Sequence, residues 1–332
     1  MKRVGNLYDQ IADPDNLRLA YYKAKRGKEA KADVIRYAKH LRENIYLLNN
    51  QLHFSTVEPG DYHFFTIFEP KERLICAASF TERVLHHAIM NVCHPYFEKY
   101  QIDHSFATRL GKGQYAALEI AKANQSKNLW FCKLDIKKYF DSVSHEILIK
   151  LLHSRFKDQR LLYLFEKIIR SYQITKSHGL PIGNLTSQYF ANFYLAVADH
   201  HLLEKIKIPS YVRYMDDMVL WHQNKDELVT KQKRFVDYLN NHLNLCCKPP
   251  CINSSDKGLS FLGYVVYPCS IRLNKQSKNR FLRKYRYAEY MLTNGNWNQD
   301  EYIRHVVPLL AFIKKANTFS FRNKVIKNKE TD

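Results

Sequence analysis

The sequence has little glycine and proline and no long apolar run. Of 332 residues, only 10 are Gly and 10 are Pro, while 45% are hydrophobic. This composition excludes a low-complexity or collagen-like chain and indicates a folded globular protein. No run of about 18 apolar residues is present, which argues against a membrane-spanning helix. Polar sequence follows Met1–Asn6, so we also expect no secretory signal.

The cysteines lack the spacing of a disulfide framework. There are seven, an odd number. Cys246, Cys247 and Cys251 cluster, and zinc binding is one interpretation of that cluster. It has neither a Cys-x-x-Cys pair nor a second spaced pair, so ordinary reduced thiols are the interpretation we favour. Reduced thiols are typical of a cytoplasmic protein, and cytoplasmic is the location we predict.

Acidic residues are scarce relative to basic ones. The chain has 52 Lys and Arg against 32 Asp and Glu, a formal net charge of +20. A charge of this size favours a polyanionic partner, with nucleic acid ahead of an acidic membrane surface. Aromatic residues make up 14% of the chain, and rings among cations suit nucleotides better than lipid. We therefore predict a nucleic-acid partner and no membrane partner, the alternative being a merely soluble basic surface.

Two adjacent aspartates interrupt an aromatic and β-branched stretch. Tyr211–Leu220 reads Tyr-Val-Arg-Tyr-Met-Asp-Asp-Met-Val-Leu. Its two halves have strand composition, which predicts a β-hairpin with Asp216 and Asp217 at the tip. Adjacent carboxylates repel each other, and a divalent cation such as Mg²⁺ neutralises them. A solvated turn is the alternative, since Asp is common in turns.

A third acid ends another predicted strand, Leu129–Ile136. Alternation with period two places Phe131, Lys133 and Asp135 on one face of that strand. A carboxylate at the end of a buried strand is costly unless it is paired or bound to metal. Carboxylates from separate strands that converge on two ions are the arrangement that two-metal catalysis requires.

The remaining pattern indicates mostly helices. Strands are predicted over 62–68 and 71–76, forming a hairpin with basic residues at its turn, and a further strand over 260–267 with Gly263 at its centre. The predicted helical segments are 1–50 (two helices), 81–97, 115–124, 146–172, the segment entered through the Gly/Pro turn at 179–188, 225–243 and the basic stretch 271–332.

Five segments occur in a characteristic order. They are the basic hairpin before residue 77, then Leu134–Phe140, Gly179–Gly183, Tyr214–Asp217 and Phe261–Tyr264. Together they resemble reverse transcriptases over about residues 55–270. The resemblance implies an α+β right-hand polymerase, with an antiparallel palm sheet flanked by helices. It divides the chain into an N-terminal helical extension (1–54), fingers and palm (55–268) and a short basic helical thumb (269–332).

One segment resembles a particular group within the reverse transcriptases. Ile182-Gly183-Asn184-Leu185-Thr186-Ser187-Gln188 is similar to the Ile/Val/Leu-Gly-x-x-x-Ser-Gln signature of reverse transcriptases from diversity-generating retroelements. Most reverse transcriptases, including those of group II introns, carry Gln before this Gly, where this chain has Ile182. Gln188 also stands where Pro is common.

The resemblance implies a role for each matching residue. Asp135, Asp216 and Asp217 would be catalytic, and with the backbone carbonyl of Ile136 they would hold two Mg²⁺ ions. Phe140 would be a steric gate that favours dNTPs, and Lys248 the general acid for pyrophosphate. The predicted nucleotide-binding residues are Lys71, Arg73, Ile136, Tyr139, Phe140, Ile182, Gly183 and Gln188, and the predicted primer grip is Phe261, Leu262, Gly263 and Tyr264.

The implied function is RNA-directed DNA synthesis. Such an enzyme copies a template-repeat RNA into cDNA with misincorporation opposite adenine, which mutates a variable gene. Its implied partners are template RNA, the RNA/cDNA duplex and a small basic pentameric accessory protein, and its implied source is a bacterium or phage. The alternatives are a group-II-intron-like or retron-like reverse transcriptase without this bias, and a non-catalytic RNA-binding protein with a polymerase fold.

Overall fold

The computed structural model describes residues 3–68 and 72–327. The chain forms two compact units, and each is described by itself. The first unit comprises Met1–Asp103, Ile136–Lys205 and Phe235–Lys248. The second comprises His104–Asp135, Ile206–Arg234 and Pro249–Asp332.

Helices dominate the described part of the chain, and none of those described is long and apolar enough to cross a bilayer. A π-helical stretch, His201–Ile206, follows the tenth α-helix. The α-helices are α1 (Tyr8–Ala12), α2 (Pro14–Lys25), α3 (Ala32–Lys39), α4 (Leu41–His53), α5 (Phe80–Glu98), α6 (Gln114–Lys127), α7 (Tyr139–Ser142), α8 (His145–Arg155), α9 (Gln159–Arg170), α10 (Leu185–His200), α11 (Lys225–Leu243), α12 (Lys275–Thr293), α13 (Gln299–Lys314) and α14 (Phe319–Lys327).

The strands form three antiparallel sheets. They are β1 (Tyr62–Ile67), β2 (Arg73–Ala78), β3 (Trp130–Asp135), β4 (Ser210–Tyr214), β5 (Asp217–His222), β6 (Cys251–Ser254), β7 (Leu259–Phe261), β8 (Tyr264–Val266) and β9 (Ile271–Leu273). The first unit contains the β1–β2 hairpin. The second contains a four-stranded sheet in the order β4-β5-β3-β6 and a three-stranded sheet in the order β7-β8-β9.

The first unit is built around α5. Ser79 caps this helix by accepting a hydrogen bond from the Glu82 amide. Its apolar face is buried, and the Phe97 ring near its end contacts Phe156 and Phe193, both at 5.4 Å between ring centroids. This aromatic packing supplies much of the apolar burial that stabilises the unit.

The second unit has its core beneath the four-stranded sheet. Val212, Val219 and Trp221 are fully buried there, because successive strand residues point to opposite faces. The Trp221 indole donates a hydrogen bond of 2.6 Å to the Gln125 side chain, which in turn donates to the Ser255 carbonyl. The indole therefore combines a large apolar contact with a satisfied buried donor.

Most predicted elements are confirmed. The hairpin with the two aspartates, the strand before Asp135 and the helix over 225–243 lie where the sequence places them. The segment predicted as helical over 271–332 begins with strand β9 instead, and it is helical in α12, α13 and α14, as far as residue 327.

The single helical segment predicted over 146–172 is wrong, because the structure breaks it into α8 and α9. Asp158 lies at the break and caps α9 through the Leu161 amide. Its carboxylate also accepts hydrogen bonds from the amides of Leu7 and Tyr8. The break is therefore stabilised by contacts that lie far away in sequence.

The single strand predicted over 260–267 is also wrong, because the segment is the β7–β8 hairpin. Phe261 pairs with Tyr264, so Leu262 and Gly263 form a two-residue turn with φ angles of 49° and 89°. Two positive φ angles are typical of the turn type whose twist suits a hairpin. The predicted close approach at Gly263 is real, since an added Cβ would lie 2.9 Å from Ser277 Oγ.

Replacing Trp221 by Phe tests the buried indole hydrogen bond. The change leaves the Gln125 side-chain oxygen without its donor, so we expect the free energy of unfolding to fall by about 2 kcal/mol. Urea unfolding followed by circular dichroism measures this. As a control, Trp130→Phe, at a half-buried ring beside Lys225, should cost less than about 1 kcal/mol. Equal losses for the two variants would contradict the assignment.

Candidate active site

The two adjacent aspartates lie at a tight turn between β4 and β5. Tyr214 pairs with Asp217, which leaves Met215 and Asp216 as the turn. Met215 has a φ of 53°, a left-handed conformation that is uncommon for a side chain of its size. Local strain of this kind persists only where the surroundings fix it.

Arg213 supplies part of that support. Its side chain is fully buried, and its guanidinium donates a hydrogen bond of 3.2 Å to the Met215 carbonyl. The Arg213 amide donates a hydrogen bond to the His104 carbonyl, and the Arg213 carbonyl accepts one from the Phe106 amide. Sequence reasoning assigned Arg213 no role, although a cation inside the apolar run before the aspartates was a usable signal.

Asp135 and Asp217 face each other on neighbouring strands. They are register partners at the ends of β3 and β5, and Asp216 directly precedes Asp217. Burial raises the pKa of Asp217 from its ordinary value of 3.8 to about 6. Lys133 opposes this pKa shift, whereas Asp216 and Asp135 add to it. The structure thus brings the three predicted catalytic carboxylates into one electrostatically coupled group.

Lys133 is the cation that accompanies this group. Its Nζ lies 3.1 Å from Asp217 Oδ1 as an ion pair, and it donates a hydrogen bond of 3.2 Å to Oδ2. The same nitrogen donates 2.8 Å to the Ser260 carbonyl. The sequence placed Lys133 on the face of Asp135 but gave it no function, and that shared face was the available signal.

The carboxylates have the right chemistry for Mg²⁺, which prefers oxygen ligands. Among the residues that the structure describes, no group donates a well-directed hydrogen bond to the buried Asp217 Oδ1. The cation beside that atom is Lys133, 3.1 Å away, so a metal ion bound there would compete with the ammonium. In the same described ranges, no three His, Cys, Asp or Glu side chains form a ready-made metal cluster. Carboxylate oxygens suit the predicted Mg²⁺ ions, but without metal they do not lie close enough together to form a complete set of ligands.

Several predicted nucleotide-binding residues meet within the first unit. The Cys76 amide of β2 donates 2.8 Å to the Ile182 carbonyl, and Leu180 donates 2.8 Å to the Phe140 carbonyl. Gly183 has a φ of 125°, and an added Cβ would lie 3.1 Å from the Cys76 carbonyl oxygen. This loop therefore requires glycine at 183, and its backbone bonds link β2 and α7 to the start of α10.

These predicted nucleotide-binding residues differ in how much of their surface is exposed to solvent. Gly183 is exposed, and Ile182, Phe140 and Gln188 are half-buried, so all four present some surface to a ligand. Ile136 is buried, consistent with a role through its backbone alone. Tyr139 is buried as well, and its hydroxyl donates a hydrogen bond to the Ala191 carbonyl. Its ring thus supports α10 and offers a nucleotide almost no surface.

The other predicted cations lie in different settings. Arg73 is exposed at the first position of β2, opposite Ile67. Lys71 lies outside the described residues. Lys248 is half-buried at the end of the first unit, and its role as a general acid stays a prediction.

The predicted primer-grip residues divide in the same way. The rings of Phe261 and Tyr264 are fully buried, and the Tyr264 hydroxyl donates 2.7 Å to the Phe312 carbonyl. Leu262 and Gly263 are half-buried at the turn. The turn is therefore the part of the hairpin with surface for a primer to contact, whereas the two buried rings anchor the hairpin.

Comparison with known proteins shows which protein family this sequence matches. A family profile described as "Reverse transcriptase (RNA-dependent DNA polymerase)" matches residues 69–266, more than half of the chain. The group II intron-encoded protein LtrA of Lactococcus lactis subsp. cremoris is 26% identical over 212 residues, which are 58% of this chain and 35% of LtrA. An uncharacterized 91 kDa protein in the cob intron of Schizosaccharomyces pombe is 30% identical over 148 residues, 43% of this chain and 17% of that protein. The chain thus spans about a third or less of the length of these relatives.

Solved structures extend the comparison to the fold. Apo telomerase from Candida tropicalis superposes with a TM-score of 0.50 at 12% identity, covering 80% of this chain and 59% of that one. At this identity the similarity concerns the fold alone. The α+β polymerase fold predicted from the sequence is confirmed.

The raised pKa of Asp217 predicts how stability depends on pH without metal. The folded state holds this proton more tightly than the unfolded chain, so its stabilising effect is complete below pH 3.8 and lost as pH rises through about 6. Relative to an Asp217→Asn variant, wild type should therefore lose on the order of 3 kcal/mol of unfolding free energy between pH 3.5 and pH 7.5.

Urea unfolding in EDTA at several pH values measures this difference. Asp226→Asn serves as the control, because Asp226 is exposed on α11 in the same unit. Its difference from wild type should stay nearly constant. A pH-independent difference for Asp217→Asn as well would show that this carboxylate has no raised pKa.

Proposed function

Since this chain belongs to the reverse transcriptase family, we propose that it catalyses RNA-templated DNA synthesis from dNTPs. The observation that supports this most directly is the pairing of Asp135 with Asp217 across β3 and β5, with Asp216 in the adjoining turn. A pure RNA-binding protein gains nothing from three coupled carboxylates on a chain of net charge +20.

The carboxylates would hold the two ions of nucleotidyl transfer. Asp135 and Asp216 would bind both, with the Ile136 carbonyl assisting and Asp217 completing the acidic group. Bound Mg²⁺ supplies activation of the primer 3′-hydroxyl and neutralises charge on the triphosphate. The turn backbone, fixed by buried Arg213, keeps the aspartates in place without an ordering cost at each cycle.

The loop of the first unit would select the nucleotide. Phe140 is half-buried on α7. Its carbonyl accepts a hydrogen bond from the Leu180 amide, which holds it against the loop before α10. A ring there can exclude a ribose 2′-hydroxyl by contact, which favours dNTPs. Exposed Gly183 lets backbone approach the nascent base pair closely. Arg73 and Lys71 would meet the triphosphate.

The subclass we propose is the reverse transcriptase of a diversity-generating retroelement. Ile182 and Gln188, both half-buried, carry this proposal because they replace the residues common in other reverse transcriptases. The function would be cDNA synthesis from a template-repeat RNA with errors opposite adenine, aided by a small basic pentameric accessory protein. The cell would be a bacterium, or one infected by a phage that encodes the enzyme.

An intron-like enzyme without mutagenic bias is the second candidate. The similarity to LtrA, at 26% identity over 58% of this chain, favours it. The two candidates share the carboxylate group and differ in the error spectrum that they predict. A non-catalytic RNA-binding protein is the remaining alternative.

Primer extension with the purified protein distinguishes these candidates. The assay contains Mg²⁺, dNTPs, a DNA primer and an RNA template with spaced adenines, and the products are sequenced. We expect cDNA with errors concentrated opposite adenine. Asp216→Ala should abolish synthesis, and Asp226→Ala, which removes an exposed carboxylate from α11, should not.

Each outcome selects one candidate. Accurate cDNA would retain the polymerase and favour the intron-like enzyme. If no product forms, the reaction is repeated with the accessory protein and the element's own RNA. Absence of product there as well, with retained RNA binding, would overturn the enzymatic proposal.

Ile182→Gln tests whether this side chain lowers fidelity. The backbone bond from Cys76 to the Ile182 carbonyl does not depend on the side chain, so the loop should keep its conformation. A Gln amide can hydrogen-bond near the nascent pair, whereas Ile makes only apolar contacts, so errors opposite adenine should fall severalfold. Sequencing of cDNA measures the rate. Ile174→Gln, at an exposed isoleucine of the same unit, is the control and should leave errors unchanged. Equal error spectra for wild type and Ile182→Gln would reject the idea.

A further inference from the structure

Lys133 connects two sheets of the second unit. It lies on β3, opposite Val219 of β5 and Cys251 of β6 in the four-stranded sheet. Its Nζ bonds the Asp217 carboxylate, at the tip of that sheet, and the Ser260 carbonyl on β7 of the three-stranded sheet. One nitrogen atom therefore joins a predicted catalytic acid to the β7–β8 hairpin.

The contact to Ser260 is more than a counterion requires. A cation that only offsets the charge of Asp217 needs the carboxylate and water, and has no use for a backbone carbonyl. At 2.8 Å, the bond to Ser260 is the shorter of the two hydrogen bonds that Nζ donates. An ammonium has three rotatable donors, so it can serve both partners at once.

The bonded carbonyl lies next to the predicted primer-grip turn. Ser260 precedes Phe261, and the turn at Leu262 and Gly263 follows directly. The hairpin is short, its strands are paired up to Phe261 and Tyr264, and both of these rings are buried, so pairing and packing hold its backbone together. The bonds that hold the Ser260 carbonyl near Asp217 therefore also fix the position of this turn relative to the carboxylates.

We propose that Lys133 is a positioning residue that sets the primer end against the catalytic carboxylates, by tying the β7–β8 hairpin to Asp217. This inference rests on the proposed function, since it assumes that the turn contacts the primer. Reaction rates fall steeply when reacting atoms are misplaced by even about 1 Å. Loss of the tie should therefore slow the chemical step more than it weakens binding.

Two substitutions at Lys133 separate positioning from charge. Lys133→Met removes both hydrogen bonds and the charge. Lys133→Arg keeps the charge, but its larger planar guanidinium cannot reproduce the spacing that one compact ammonium sets between the Asp217 carboxylate and the Ser260 carbonyl. Lys257→Met is the matched control, because Lys257 is an exposed lysine of the same unit, three residues before Ser260.

Single-turnover extension of a pre-bound primer–template gives a rate constant and an amplitude. For both Lys133 variants we expect the rate constant to fall by about tenfold or more, with unchanged amplitude and a dissociation constant for primer–template within about threefold of wild type. A merely structural role would lower the amplitude instead. A 2-aminopurine at the primer 3′ end should fluoresce more strongly with both variants, reporting a less ordered terminus.

The outcomes decide between the explanations. Wild-type rate constants and fluorescence for Lys133→Arg would overturn the proposal and leave Lys133 a simple counterion. If Lys133→Met does not fold, the Lys133→Arg comparison decides alone. Wild-type protein that binds primer–template without extending it would refute the proposed function, and the fluorescence comparison would still test the tie.

Discussion

Electrostatic repulsion among three carboxylates is the constraint around which the second unit is arranged. Strand pairing forces Asp135 and Asp217 to face each other, and Asp216 follows from the turn. Burial strengthens their repulsion, because the surrounding dielectric is low. Burial is the largest cause of the raised pKa of Asp217, the repulsion from Asp216 and Asp135 adds to it, and the ammonium of Lys133 offsets part of it. The proposed cations would relieve this cost more fully than a single lysine can.

Rigid support keeps that cost from unfolding the hairpin. The strained Met215 turn rests on the buried guanidinium of Arg213, and β5 continues into Trp221, which is locked to Gln125. Catalytic groups on such strands are held more accurately than groups on loops. In the first unit, Gly183 plays a comparable part, since its positive φ lets the loop before α10 bond the backbone of β2.

The sequence was informative mostly where the deciding contacts are local, with the missed turn at Leu262 and Gly263 as an exception. Alternation of side chains located β3, and the aspartates marked the turn between β4 and β5, because strand periodicity and turn chemistry act over a few residues. Other predictions failed where distant contacts decide. Asp158 caps the start of α9, and its carboxylate also accepts from the amides of Leu7 and Tyr8, which no local pattern reveals. The contact of Lys133 was missed for the same reason, since Ser260 lies 127 positions away. The Arg213 bond to Met215 spans only two positions and was missed although it is local.

The same distinction explains why subclass is harder to infer than family. The carboxylate group and the glycine loop of this chain depend on backbone pairing, and the family remains recognisable at 26–30% identity over the aligned segments. Ile182 is different, because its carbonyl bonds the backbone of β2 whatever its half-buried side chain is. Under the proposed function, a change from Gln to Ile there would alter what the nascent base pair contacts while leaving the backbone bonds of the loop in place. Fidelity would then differ between enzymes of one fold through a single side chain, whereas the proposed loss of synthesis on removing a carboxylate does not depend on the subclass.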